Sequence, residues 1–322
     1  MQMKKMDSDT SNKMANMGFL CAIFIVLLHS GCGGITSVAV PYFFLAAGYF
    51  LAGHIGEEGW WRREVCKRVR SLLVPMWIWG ACSIMVELLL QWGIRLTGYD
   101  YHGEQLSFLY RLLRGGGVLF TVNMGVLWFV RMLFILVVIS PLLAGGGGRF
   151  TNLSRLALFA GAYGWFELAH LDPGALWNFF EYGFSLRGLL YFSVGMYLRQ
   201  YPIQLKISKA WLVVLVCVST MLVWRGISVL ISVPVHMLTL YLLMPSRKVY
   251  GNGYSFPIYL LHMEVMLGLT AILAAFGIRS STCHAVWLVA LRFVVCLVVS
   301  MFLARLLRRH APRFARLAFG GR

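Results

Sequence analysis

A histidine inside an otherwise apolar run is the first residue of this chain whose type suits chemistry. His29 lies near the end of the run that leads from Ile25 to Ser30. An ionisable side chain is costly in hydrocarbon, so it requires a partner or a function. Histidine titrates close to neutral pH and suits general base catalysis. A structural hydrogen bond to a neighbouring helix is the alternative, and the residues alone leave both interpretations open.

Three further ionisable residues interrupt apolar runs. Arg131 follows Leu127 by four positions, and its head group either snorkels to the membrane interface or faces a polar cavity. His262 and Glu264 are two positions apart, so on a helix they point to different faces. Together they make their segment unusually polar, which favours a cavity, with a structural hydrogen bond as the alternative.

A dense group of basic residues comes shortly before Leu72 and Pro75. Its members are Arg62, Arg63, Lys67, Arg68 and Arg70. One interpretation is a topology signal that is attracted to anionic lipid. The other is a phosphate site, because arginine forks match phosphate oxygens.

The elements that must position these residues are membrane-spanning helices. The chain has 322 residues, of which 59% are hydrophobic and 13% charged, whereas soluble domains carry about 25% charged residues. A span needs about 20 mainly apolar residues. We therefore predict an all-α, polytopic membrane helix bundle that forms one domain over residues 1–322. The predicted spans lie near 17–35, 38–54, 72–94, 122–143, 154–171, 185–199, 210–224, 226–244, 255–276 and 285–305. The segment from Glu104 to Arg114 is too short to span and predicts an interfacial helix.

The positive charges predict the orientation of these spans. The net charge is +17, and most of the 29 lysines and arginines fall in alternate loops and at both chain ends. The opposite loops hold only Arg95, Arg111, Arg114, Arg187, Arg225 and Arg279. Cytoplasmic loops carry such an excess, so both termini are predicted inside and the charge does not indicate nucleic-acid binding. Scattered cysteines without a C-x-x-C pair give no sign of a metal site.

Several segments, in order, resemble the membrane-bound acyltransferase-3 family of bacterial O-acyltransferases. Each segment is a weak signal by itself, but their order and spacing match a ten-span topology along nearly the whole chain. They are Val26 to Ser30, Pro41 to Phe44 with Gly48 and Tyr49, Lys67 to Pro75, Leu127 to Arg131, Tyr191 to Tyr197, and Ser255 to His262.

The resemblance implies an activity and a location. Members take an acyl group, usually acetyl, from cytoplasmic acetyl-CoA to a hydroxyl of a cell-surface or exported glycan or its lipid-linked precursor. The expected location is the bacterial cytoplasmic (inner) membrane. His29 corresponds to the family histidine that acts in acyl transfer. Arg68 and Arg70 correspond to the basic residues linked to the acyl-CoA donor.

The remaining roles follow as hypotheses about one site. A developing oxyanion needs a donor, and Arg131 is the candidate. Tyr42, Trp128 and Tyr259 are candidates to line a substrate cavity with His262 and Glu264, because aromatic faces pack against sugar rings. For each aromatic residue, ordinary packing is the alternative.

One position departs from the family pattern. Many members carry an arginine eleven residues before the histidine, and here that position is Gly18. Lys13 does not replace it simply, because a helix places Lys13 on the face opposite His29. The departure keeps a second function open, a membrane transporter or flippase for a glycan or small solute. Acetyl-CoA binding distinguishes the two.

Overall fold

The structure is a computed structural model that describes residues 7–83, 85, 127–144, 148–168, 184–202, 207–224, 229–275 and 286–321. Across these ranges the regular secondary structure is helical, without a strand. The predicted all-α class is therefore confirmed for the described residues. The predicted interfacial helix from Glu104 to Arg114 lies outside them.

Helices cover all or part of each of the ten predicted spans. In chain order they are α1 (Ser8–His29), α2 (Ala39–Ala52), α3 (Trp60–Arg68), α4 (residues 74–83), α5 (Leu127–Ala144), α6 (Arg149–Leu168), α7 (Leu186–Gln200), α8 (Lys209–Trp224), α9 (Val229–Leu243), α10 (Ser255–Ala275), α11 (Val286–His310) and α12 (Pro312–Ala318). Short 3₁₀ helices cover Ile35–Val38 and Tyr250–Tyr254, and a π-helical turn, Val69–Leu73, joins α3 to α4.

Three of the described helices are long and apolar enough to cross a membrane, by length and composition. They are α1, α5 and α11. Shorter apolar helical stretches cover Thr36–Ala52, Ala210–Leu222 and Ile231–Leu243. These helices support a membrane protein, while the number of spans and the side on which each terminus lies stay predictions.

The chain divides into two compact units. The first comprises Met1–Lys67 and Met132–Ser255, and the second comprises Arg68–Arg131 and Phe256–Arg322. Each unit thus combines two stretches of sequence that are far apart along the chain. Many contacts within a unit therefore join residues that are distant in sequence, which a local sequence pattern does not predict.

Helix α1 begins and ends at clear local signals. The Asp7 side chain accepts a hydrogen bond of 2.6 Å from the Thr10 amide and caps the first turn. At the other end, the Ser30 hydroxyl donates to the Val26 carbonyl at 2.7 Å. Gly31 then adopts a φ of 109°, a region that favours glycine and breaks the helix. As a result α1 extends a polar N-terminal part beyond the apolar run and stops at His29.

Helices α2 and α7 touch backbone to backbone in the first unit. A Cβ atom at Gly48 would lie 2.0 Å from the Phe192 carbonyl oxygen, and one at Gly195 would lie 2.0 Å from the Leu45 carbonyl oxygen. No side chain fits at either position. Small residues allow membrane helices to approach in this way, so the two glycines define the α2–α7 contact.

Asn16 on α1 holds the loop that follows α9. Its amide nitrogen donates to the carbonyls of Pro245 (2.7 Å) and Arg247 (2.9 Å). Its carbonyl oxygen accepts from the Val249 amide at 3.2 Å. The side chain is only 4% exposed, so one buried amide satisfies three main-chain groups of a loop more than 200 residues away.

Helix α10 connects the described helices of the second unit. The Glu264 carboxylate accepts a short hydrogen bond from the Ser83 hydroxyl of α4. The rings of Tyr259 and of Phe129 on α5 meet edge to face at 5.4 Å. The Cys296 thiol of α11 donates to the His262 carbonyl at 3.4 Å. α10 therefore carries polar and aromatic contacts to three neighbouring helices.

Candidate functional site

The predicted site residues fall into both compact units. His29 and Tyr42 belong to the first. The second contains Arg68, Arg70, Trp128, Arg131, Tyr259, His262 and Glu264. His29 thus belongs to a different unit from Arg131 and His262.

His29 is the last residue of α1 and its side chain is exposed. The helix stops there because Gly31 leaves helical backbone space, while the Ser30 hydroxyl donates to the Val26 carbonyl. Leu28 beside it is also exposed, at 38%. An imidazole at the end of a helix, next to a glycine turn, is accessible to a reactant, as a general base must be.

Tyr42 is buried and forms a contact between α2 and α1. It is 2% exposed, and its hydroxyl donates to the Met14 carbonyl at 2.5 Å. Its ring also borders the position where the family arginine is absent, since a Cβ at Gly18 would lie 3.9 Å from the rings of Tyr42 and Phe43. That is ordinary van der Waals distance, so Gly18 is not required by packing. The role of Tyr42 in a substrate cavity stays a prediction.

The basic segment contains acids that pair with some of its cations. Arg63 forms an ion pair of 2.7 Å with Glu57, and Lys67 lies 3.4 Å from Glu64. Arg70, on the π-helical turn, is exposed, and within the described ranges no acid lies at ion-pair distance from it. Arg68, one residue before the turn, is half-buried. Arg62 is also exposed, and within the same ranges no acid lies at ion-pair distance from it, so exposure and ion pairing do not by themselves single out Arg70.

The aromatic ring of Tyr259 lies beside His262 on α10. The Tyr259 ring lies 6.0 Å from the His262 ring and stacks on Phe256 at 6.5 Å. The Nδ1 atom of His262 is 2.7 Å from the Tyr259 carbonyl oxygen. A carbonyl only accepts, so Nδ1 carries the proton, and in the neutral ring Nε2 is then the acceptor nitrogen. His262 is fully buried and held in one tautomer.

Arg131 is buried inside the protein, with 7% of its surface exposed. This degree of burial argues against a head group that snorkels to the interface, and the polar cavity stays a prediction. Trp128, one turn earlier on α5, is half-buried and meets Phe129 edge to face at 6.2 Å. Glu264 is half-buried and bonded to Ser83, so it differs from His262 in its surroundings, as their two-residue spacing predicts.

Besides His262 of the second unit, the first unit contains a buried histidine that the sequence analysis missed. His236 on α9 is 3% exposed, and its Nδ1 lies 2.8 Å from the hydroxyl of Ser219 on α8. Ser232 and Thr239 share the same face of α9 and are also buried. The signal was present in the sequence, because a histidine interrupts the apolar run from Val229 to Leu243.

A small polar cavity in the first unit was also not predicted. Asn152 and Arg155 of α6 and Ser193, Tyr197 and Gln200 of α7 line much of it. Its volume of about 20 Å³ suffices for about one water molecule. The cavity is therefore too small for an acyl donor, and none of the predicted site residues lines it.

Comparison with known proteins identifies the family. A family model described as an acyltransferase domain, of the acyltransferase-3 type, matches residues 17–309. No curated protein and no solved structure matched the chain. The match begins within α1, ends at the last turn of α11, and includes every predicted site residue. The chain therefore belongs to the acyltransferase-3 family, and it is an acyltransferase.

Proposed function

We propose that this acyltransferase moves an acetyl group from cytoplasmic acetyl-CoA to a hydroxyl of a cell-surface or exported glycan or its lipid-linked precursor. It works from the bacterial inner membrane, with ten spans and both termini in the cytoplasm. The observation that carries the proposal is the family match over 17–309, within which His29 is an exposed histidine at the end of α1.

The reaction is one acyl transfer. His29 takes the proton of the acceptor hydroxyl, whose oxygen attacks the thioester carbonyl. The carbon–sulfur bond breaks, CoA leaves as the thiolate, and the proton passes to that sulfur. Arg131 stabilises the oxyanion that develops on the carbonyl oxygen. Transient acylation of His29 is the alternative route, with the same overall balance.

The cytoplasmic face supplies the donor site. Arg70 is exposed on the π-helical turn and Arg68 lies two residues before it. Both cations suit the phosphates of CoA, since guanidinium forks pair with phosphate oxygens. Tyr259 and Trp128 are the aromatic residues proposed to contact the acceptor.

The role of His29 is tested by acetyl transfer in membranes that contain equal amounts of His29→Ala and wild-type protein. We expect a loss of at least about 100-fold, the usual contribution of general base catalysis. His310→Ala is the matched control, because His310 is also exposed and at a helix end. Full activity of His29→Ala would remove the proposed role.

Donor binding distinguishes the enzyme from a transporter. Purified wild-type protein should bind acetyl-CoA, and Arg70→Ala should weaken the binding by roughly tenfold, about 1.4 kcal/mol. Arg247→Ala is the control, since Arg247 is an exposed cation in the first unit. No binding by folded wild-type protein would favour the transporter or flippase interpretation.

Two natural cysteines test the orientation. Cys32 follows α1 and Cys66 lies on α3, and both are exposed. In single-cysteine variants, a membrane-impermeant maleimide should label Cys32 in spheroplasts, whose inner membrane is intact. Cys66 should react only after permeabilisation. The reverse pattern would overturn the orientation.

A further inference from the structure

Residues 312–321, which we call the 312–321 segment, pack against α4 in the second unit. The Trp79 indole nitrogen donates to the Ala318 carbonyl at 2.8 Å. The rings of Trp79 and Phe319 stack at 5.9 Å with an angle of 18° between their planes. Phe319 is fully buried and Arg308 covers its ring at 5.9 Å. The segment is thus fixed by a hydrogen bond, a ring stack and a cation–π contact.

The same segment touches the π-helical turn through a glycine. Gly320 has a φ of +66°, and a Cβ there would lie 2.4 Å from the Ser71 carbonyl oxygen. Ser71 is the central residue of the turn Val69–Leu73. Gly320 is therefore needed for two reasons, since a side chain would strain its backbone and would also collide with the turn.

The π-helical turn has a buried side and an exposed side. Ser71, Leu72 and Leu73 are buried, whereas Arg70 is exposed. π-Helical turns are rare and persist where their surroundings hold them, frequently at functional sites. The contact with Gly320 lies on the main chain one residue from Arg70, so it fixes the backbone from which the Arg70 side chain extends.

The family match ends at residue 309, so it does not include the 312–321 segment. The general mechanism of the family therefore gives no reason for its packing against the turn.

We propose that the 312–321 segment is a positioning element for the acyl donor: it holds the π-helical turn so that Arg70 meets the donor phosphates. This inference rests on the proposed donor site at Arg68 and Arg70. Trp79, Phe319 and Gly320 act through Arg70 and do not touch the donor.

The experiment compares two glycine substitutions. Gly320→Ala adds a methyl group that meets Ser71, whereas Gly321→Ala adds one at a φ of +76° with no atom within 4 Å. Both variants place alanine at a positive φ, so both introduce backbone strain. The difference between their KM values therefore reports the contact with the turn. We expect Gly320→Ala to raise the KM for acetyl-CoA by roughly tenfold, with kcat and the KM for the acceptor little changed. Gly321→Ala should behave as wild type.

The outcomes separate the inference from the proposed function. If wild-type protein does not bind acetyl-CoA, both fail. If Arg70→Ala weakens binding but Gly320→Ala leaves the KM unchanged, the inference alone is overturned. A lower Tm with an unchanged KM in Gly320→Ala means that the segment only stabilises the fold, which also overturns it. If Gly320→Ala does not fold, Trp79→Phe keeps the ring stack, removes the bond to Ala318, and must raise the same KM.

Discussion

The α2–α7 contact and the contact of the 312–321 segment with the π-helical turn both depend on glycine, for different reasons. Gly48 and Gly195 lie inside regular helices, and only the space between two backbones excludes a side chain. Gly320 also has a positive φ, and a hydrogen bond and a ring stack accompany it. The first contact fixes two whole helices. The second fixes one turn that carries Arg70, the cation proposed to bind the donor.

The largest expected effect is at the α2–α7 contact. Gly48→Ala places a methyl group 2.0 Å from a main-chain oxygen that belongs to α7 and has no rotamer to change. Over-packing of this kind costs about 1–3 kcal/mol or more. We expect loss of folded protein or a large fall in Tm, measured by thermal challenge followed by size-exclusion chromatography in detergent.

The matched control for this change is Gly18→Ala. Its new methyl group meets only side chains at 3.9 Å, so its Tm should stay near that of wild type. Equal Tm values for the Gly48 and Gly18 variants would show that the α2–α7 helices separate at little cost.

A smaller, local effect is expected from Phe319→Ala. The change removes a fully buried ring, but the loss falls on the short 312–321 segment, which can detach while the rest of the fold persists. Trypsin should then cut after Arg313 and Arg316 faster in the variant than in wild type. Phe314→Ala is the control, because Phe314 is 42% exposed. Identical digestion of the two variants would contradict a specific docking of Phe319.

Asn16→Ala tests a polar contact in the first unit. Three main-chain groups between Pro245 and Val249 lose their partner, but these bonds are only part-buried, so water can replace them and the total loss is about 1–3 kcal/mol. We expect a moderate fall in Tm and faster tryptic cleavage after Arg247 or Lys248. Asn12→Ala, one turn earlier on α1, should leave both unchanged. Unaltered cleavage in Asn16→Ala would show that other contacts hold this loop.

The smallest expected effect is that of Tyr42→Phe. The change removes the hydroxyl that donates to the Met14 carbonyl and lies 3.5 Å from the Met14 sulfur, a loss of about 1 kcal/mol. We expect a small fall in Tm and normal acetyl transfer. If transfer falls while the Tm does not, Tyr42 serves the substrate cavity as the sequence predicted, and its contact with α1 is secondary.

The sequence could predict the helical segments and the ionisable residues within them. Hydropathy, and the free-energy cost of an ionisable side chain in the membrane interior, can both be judged from the local sequence. It could not predict how Asn16 binds a loop from the other end of the first unit. Gly48 and Gly195 both lie in segments that carried the family resemblance, but their mutual contact depends on tertiary packing. The π-helical turn lacks a sequence signature, since it is stabilised by Ser71 and Gly320 meeting at the main chain.

The candidate site was predicted unevenly for the same reason. His29 and Arg70 are exposed. Their residue types left a structural interpretation open for each, and the roles that the family resemblance assigns to them stay predictions. The tautomer of His262 depends on a carbonyl one turn earlier on its helix, which requires coordinates. His236 was readable as a charge-capable residue in an apolar run, but its bond to Ser219 was not.

The π-helical turn behaves as a one-residue insertion in a helix that otherwise runs from α3 to α4. An α-helix has 3.6 residues per turn and a π-helical turn takes up about one more, so deleting one residue between Val69 and Leu73 would let the chain continue as regular α-helix. A single codon thus sets whether Arg70 extends from a widened turn or from an ordinary helical one.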